Sequence, residues 1–230
     1  SSATTTILAF SSIAVALLLN QFRPGASGEV GSAVVKAQSS ITLVRGPYLQ
    51  QVGATGAIAV WATRESGTAR VEYRTGSGPL LTTTATSTFR SASTTGVLDY
   101  YQHEATLTGL KAGATYSYDL RNAGIDPTPG VTDTFKTAPA EGSGTIRLLA
   151  FGDSGDGSST QSQIASAIGK ETFDFAVHTG DIAYSRGTYA EFDARFFQKY
   201  SAWLRTRAIF PTIGNHEYMT KGAAGYFTYF

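Results

Sequence analysis

The chain has 230 residues, enough for one large or two modest domains around a real hydrophobic core. Lys plus Arg number 18 against 17 Asp plus Glu, with no basic run, so the charge balance gives no sign of a nucleic-acid partner. Cys is absent, which excludes disulfides, Cys-ligated zinc and thiol nucleophiles.

The sequence opens on Ser1, and its first apolar stretch is Ile7–Leu19. That is shorter than the roughly 20 residues a membrane span needs. It suits the hydrophobic region of an export signal, with small residues near Ala26 and at Val35-Lys36-Ala37 as candidate cleavage sites. Gln21–Ser40 is rich in Gly, Ser and Ala and reads as linker. Residues 1–40 are therefore expected to be a signal- or anchor-like segment plus linker, with an apolar helix near 7–19. The protein is expected to be secreted, periplasmic or at the cell surface, meeting a membrane only if the segment stays uncleaved.

Residues 41–138 read as a β-sandwich. Ile58–Thr63, Ala69–Tyr73, His103–Thr108, Thr115–Leu120 and Asp133–Thr137 alternate apolar and polar residues. Gly76-Ser77-Gly78-Pro79, Lys111-Ala112-Gly113 and Pro127-Thr128-Pro129-Gly130 supply turns between them. Gly109-Leu110-Lys111-Ala112-Gly113-Ala114-Thr115-Tyr116 resembles the tyrosine corner of fibronectin type III domains. Tyr48, Trp61 and Tyr116 are expected in the core and His103 at the surface.

Ala138–Gly144 reads as a linker, and residues 145–230 then alternate strands with helices. Ser158 can cap a helix burying Ile164, Ala167 and Ile168. Thr188 with Glu191 is a capping box before a helix with Phe192, Phe196, Tyr200 and Trp203 on one stripe. The apolar runs Ile146–Phe151, Phe173–Val177 and Ala208–Ile213 have the composition of buried strands. After each run comes a Gly followed by a potential ligand: Asp153, Asp181 and Asn215. Ligands just past strand ends belong at the carboxyl edge of an open α/β sheet. One Gly-Asp is ordinarily a turn; three such loops in series make a metal site the better reading.

Gly152-Asp153-Ser154-Gly155, Gly180-Asp181-Ile182-Ala183-Tyr184 and Gly214-Asn215-His216-Glu217 resemble the first three of five metal-site motifs of the calcineurin-like metallophosphoesterases. Gly46-Pro47-Tyr48-Leu49-Gln50 and the sandwich make the purple acid phosphatases the subgroup that the chain resembles. The resemblance implies a fibronectin type III-like sandwich followed by the first half of an αββα metallophosphoesterase fold. It implies a two-metal site in which Asp181 bridges, Asp153 and Tyr184 bind Fe(III), and Asn215 binds a divalent Fe, Zn or Mn. His216 would hold the substrate phosphate and protonate the leaving alkoxide. The expected substrate is a small phosphate monoester. A phosphodiesterase or nucleotidase on the same scaffold, or a binding protein working through the sandwich, are the alternatives. The family's Val-x-x-His and Gly-His-x-His motifs do not occur in the sequence, whose His residues are His103, His178 and His216. The chain is accordingly expected to be the front part of a longer enzyme and inactive alone. Ser154 has no base signature beside it, His178 is expected to pack within its strand, and Glu217 to orient His216 or cap the next segment.

Overall fold

The structure, a computed structural model, describes residues 40–230. The expected signal-like segment, its helix and most of its linker lie outside the described residues. Among the described residues no helix is long and apolar enough to cross a membrane.

The first part contains β1 (Leu43–Gln50), β2 (Gly56–Thr63), β3 (Ala69–Arg74), β4 (Leu81–Thr84), β5 (Thr86–Arg90), a helical turn α1 (Ala92–Thr95), β6 (Tyr100–Thr108), β7 (Thr115–Asn122) and β8 (Asp133–Lys136). Strands β4, β3, β7 and β8 form one antiparallel sheet; β5, β6, β2 and β1 belong to the other. The alternating apolar faces meet between them, burying Leu49, Trp61, Val71, Tyr116, Leu120 and Phe135. Lys111 N–H donates to Tyr116 Oη at 2.9 Å, closing the tyrosine corner.

His103 departs from its expected surface place: it is 0% exposed. It lies on the β6 face that also carries Ala105 and Leu107, so the two-residue period carries it into the core. Its Nε2 lies 2.7 Å from Thr63 Oγ1 and its Nδ1 2.8 Å from Ser87 Oγ. Burial lowers its pKa to about 4, so it packs as a neutral ring.

The second part adds β9 (Leu148–Phe151), α2 (Ser159–Lys170), β10 (Phe175–His178), α3 (Tyr189–Phe192), α4 (Gln198–Leu204), β11 (Ala208–Pro211) and α5 (Ala224–Tyr229). Strand β10 runs parallel to both β9 and β11. The Ser158 hydroxyl caps α2 by accepting Gln161 N–H. Thr188 and Glu191 form the capping box. A π-helical turn, Asp193–Phe197, joins α3 to α4 without interrupting the buried stripe of Phe192, Phe196, Tyr200 and Trp203. In α2 the buried residues are Gln161, Ala165 and Ile168, while Ile164 is 49% exposed and Ala167 faces solvent. Gln161 selects that stripe, because its side chain bonds the Arg195 carbonyl and Gly157 N–H. The three parallel strands are not buried on both faces as their composition suggests. Leu148 is 55% and Phe210 38% exposed, since the helices among the described residues cover one face.

The two parts keep separate cores but share one sheet. Strand β1 pairs with β11 through Leu49 and Ala208, giving one seven-stranded sheet ordered β5-β6-β2-β1-β11-β10-β9. Neighbouring residues point to opposite faces. Leu49 and Trp61 enter the sandwich core, while Tyr48 and Val60 join the aromatic cluster of the second part. Arg45 strengthens this seam. Its Nε bonds Asp193 Oδ1 at 2.8 Å, and its guanidinium lies 4.2 Å from the Tyr229 ring centroid and 4.9 Å from that of Phe197.

Candidate metal centre

Three loops leave the carboxyl ends of the parallel strands: 152–155 after β9, 179–184 after β10 and 212–217 after β11. They are stacked by backbone bonds. Asp153 N–H donates to Gly180 O at 3.1 Å, Ser154 N–H to Asp181 O at 3.3 Å, and Tyr184 N–H to Gly155 O at 2.9 Å. The close approach requires glycine: a Cβ on Gly155 would collide with the Ile182 carbonyl, and one on Gly214 with Asp181. Asp153 and Asp181 both adopt left-handed backbone, with φ of 50° and 55°. Asp tolerates that region better than most residues.

Glu217 holds the second and third loops together. Its carboxylate is fully buried and accepts four backbone N–H groups. Oε1 takes Ile182 at 2.9 Å and Ala183 at 3.1 Å; Oε2 takes Asp181 at 3.0 Å and Gly214 at 2.8 Å. Its role is thus to shape the Asp181 loop, beyond the orienting or capping part expected of it. The signal available in the sequence was the acid three residues after a Gly, a pattern too common to assign.

The arrangement gathers the oxygen donors. The Tyr184 hydroxyl donates toward Asp153 Oδ1 at 3.0 Å and toward Asp181 Oδ2 at 3.3 Å. Partial burial and the two carboxylates push the Tyr184 phenol above its ordinary pKa. Asp181 is almost fully buried, and its Oδ1 accepts the backbone N–H of His216 at 3.0 Å. The His216 ring packs against Tyr184 with centroids 4.3 Å apart. His216 Nδ1 lies 2.7 Å from the Ser185 carbonyl, which can only accept. Nδ1 therefore carries a proton, and Nε2 is the nitrogen left to exchange one. Asn215 occupies the same loop, exposed, and its side chain forms no hydrogen bond with the other four among the described residues.

Asp153, Asp181, Tyr184 and His216 are thus brought together, with Asn215 adjacent through the backbone. Among the described residues no three His, Cys, Asp or Glu side chains group to hold a metal by themselves. The donor set here is two carboxylates and a phenol, and a hard cation fits three converging oxygens that share one proton. Asp156 lies aside and caps the loop before α2 by accepting Ser158 N–H. Ser154, expected to lack a base, has His178 Nε2 at 2.8 Å from its Oγ. His178 is buried as expected, and burial lowers its pKa to about 4.

Residues 44–138 match the family model of the purple acid phosphatase N-terminal domain, and residues 146–230 that of the calcineurin-like phosphoesterases. Among solved structures the chain is similar to a purple acid phosphatase isolated from yellow lupin (Lupinus luteus) seeds. The two share 23% identity with a TM-score of 0.62, over 75% of this chain and 36% of that one. The chain therefore spans about a third of that protein's length. It is also similar to the sensor domain of an anti-sigma factor of Pseudobacteroides cellulosolvens, with 19% identity and a TM-score of 0.31 over 45% of this chain and 99% of that one. A third similar structure is a fibronectin type III domain of human contactin 1, with 14% identity and a TM-score of 0.32 over 53% and 99%. No curated protein matches the chain in sequence.

Proposed function

From a chain that joins a purple acid phosphatase N-terminal domain, a β-sandwich, to a calcineurin-like phosphoesterase domain, we propose hydrolysis of phosphate monoesters at a dinuclear metal centre. The observation that supports this reading is the convergence of Asp153, Asp181 and Tyr184 oxygens around one shared proton at the carboxyl edge of the sheet. Asp153 and Tyr184 would hold Fe(III), Asn215 a divalent Fe, Zn or Mn, and Asp181 would contact both. Bound there, the cations supply neutralisation of the phosphate charge and a water of lowered pKa.

The chain's own residues do the rest. The Tyr184 phenol, raised in pKa by its surroundings, would have to lose the proton it shares with the two carboxylates for its oxygen to serve as a ligand. Glu217 keeps the Asp181 loop in shape while charge accumulates beside it. His216, fixed through Nδ1–H to the Ser185 carbonyl, would present Nε2 to the leaving alkoxide and act on it as general acid in its imidazolium form. Such general-acid help is worth roughly 10²–10⁴-fold. A secreted, periplasmic or cell-surface location, with a small phosphate ester as substrate and a membrane contact only if the N-terminal apolar segment stays uncleaved, belongs to the same proposal.

The test uses the protein in its full natural length, loaded with iron and zinc. It is expected to bind two metal ions, hydrolyse p-nitrophenyl phosphate and absorb visible light through tyrosinate-to-Fe(III) charge transfer. Tyr184→Phe is expected to lose that band. Iron bound without the band, or a band unchanged in Tyr184→Phe, would remove Tyr184 from the ligand set.

A further inference from the structure

His178 is a buried ionisable group that the proposed chemistry leaves unused. It ends β10, is shielded from solvent, and its ring bonds to both of the first two loops. Gly180 N–H donates to its Nδ1 at 3.2 Å. A backbone N–H cannot accept, so Nδ1 must offer its lone pair. A neutral imidazole carries one proton, which then sits on Nε2. Nε2 is 2.8 Å from Ser154 Oγ, and on this tautomer it donates to the hydroxyl. A Ser154 activated as a nucleophile would need the reverse, a bare Nε2 drawing the serine proton. That arrangement would set two N–H groups against each other at Nδ1 and Gly180.

We propose that His178 is a positioning residue which, as the Nε2–H tautomer, clamps the Asp153 loop through Ser154 to the Asp181 loop through Gly180. Ser154 is a fixed acceptor in this clamp and not a nucleophile. The two anchor points are the immediate neighbours of Asp153 and Asp181, whose left-handed backbone few side chains adopt. The inference stands on loop geometry and does not require the metal reading.

Long-range proton–nitrogen NMR correlations on the full chain at neutral pH read the tautomer directly. The expected result is a protonated Nε2 and a bare Nδ1 at His178; a bare Nε2 overturns the proposal. This measurement needs no variant, so it stands even if a substitution prevents folding. Hydrogen exchange at the Gly180 amide supplies the second readout. In His178→Asn the side-chain oxygen can replace Nδ1, and exchange is expected to stay slow. In His178→Leu it is expected to quicken about tenfold or more. A Leu variant exchanging as slowly as the wild type would show that the clamp does not exist.

Discussion

In the sandwich, backbone polar groups go to strand ladders and apolar alternation does the packing. In the loops after β9, β10 and β11 a few backbone bonds stack the loops, and buried side chains take further N–H groups. Glu217 takes four N–H groups and His178 a fifth, whereas β3 and β7 pair with each other and with β4 and β8. The difference shows where each part keeps its stability. The sandwich spreads it over many pairings that are individually replaceable. The three loops depend on a few backbone bonds and two buried side chains, which together bring Asp153, Asp181 and Tyr184 to one point.

The largest expected effect therefore comes from the loops. Glu217→Ala leaves four backbone donors without an acceptor, at about 1–3 kcal/mol for each one that stays buried. The expected loss is at least about 3 kcal/mol, or on the order of 10 °C in Tm for a chain of this size. Thermal unfolding measures it; a loss under about 1 kcal/mol would mean that the loops hold their shape without the carboxylate.

The seam between the two regions comes next. Arg45→Leu removes the partner of Asp193 and the cation stacked on Tyr229 and Phe197. Breaking a buried pair from one side costs about 3–5 kcal/mol. The Asp193 side chain is 23% exposed, so the low end of that range, about 3 kcal/mol, is expected. The double variant Arg45→Leu/Asp193→Leu is expected to recover part of the loss. Calorimetry should show one unfolding transition in each case, because β1 and β2 contribute a face to both cores. Two separate transitions would make the sandwich an independently folding module.

The sequence disclosed the periodic parts of both regions. Alternation located β2, β3, β6, β7 and β8 but not β4 or β5, apolar runs located β9, β10 and β11, and Ser158 and the Thr188–Glu191 pair located the helix starts. The Gly-Asp and Gly-Asn loops announced the site because glycine is needed where the loops press together. What the sequence withheld is what covers a given face. Tyr48 and Leu49 are adjacent and both apolar, and nothing local says that they serve different cores. Alternation places His103 on the same β6 face as Ala105 and Leu107, but His is so often a surface residue that composition argued otherwise. Ile164 looked like a core residue until Gln161, a polar side chain, took the inward stripe through its bonds to Gly157 and Arg195. Glu217 was visible only as an acid three residues after a Gly, because three of its four partners come from the Asp181 loop, distant in sequence.

The smallest effect expected is that of acid on the sandwich. His103 has a folded pKa of about 4, below the roughly 6.5 of an unfolded chain. Above pH 6.5 the ring is neutral in both states and contributes no slope. As pH falls below 6.5 the unfolded chain takes up a proton that the folded ring refuses, so stability declines and levels off below about 4. Between pH 6.5 and 5 the loss should be on the order of 1 kcal/mol. His103→Gln, which cannot titrate, is expected to give a flatter pH–stability curve; an equally steep one would assign the slope to other groups.

The proposed cation site is made by three oxygens from two loops. Diffraction at the iron absorption edge, from crystals of the iron-loaded protein, tests it most directly. An anomalous peak within bonding distance of Asp153, Asp181 and Tyr184 oxygens is the result predicted. Iron bound elsewhere, with the Tyr184 hydroxyl still donating to the two carboxylates, would contradict it.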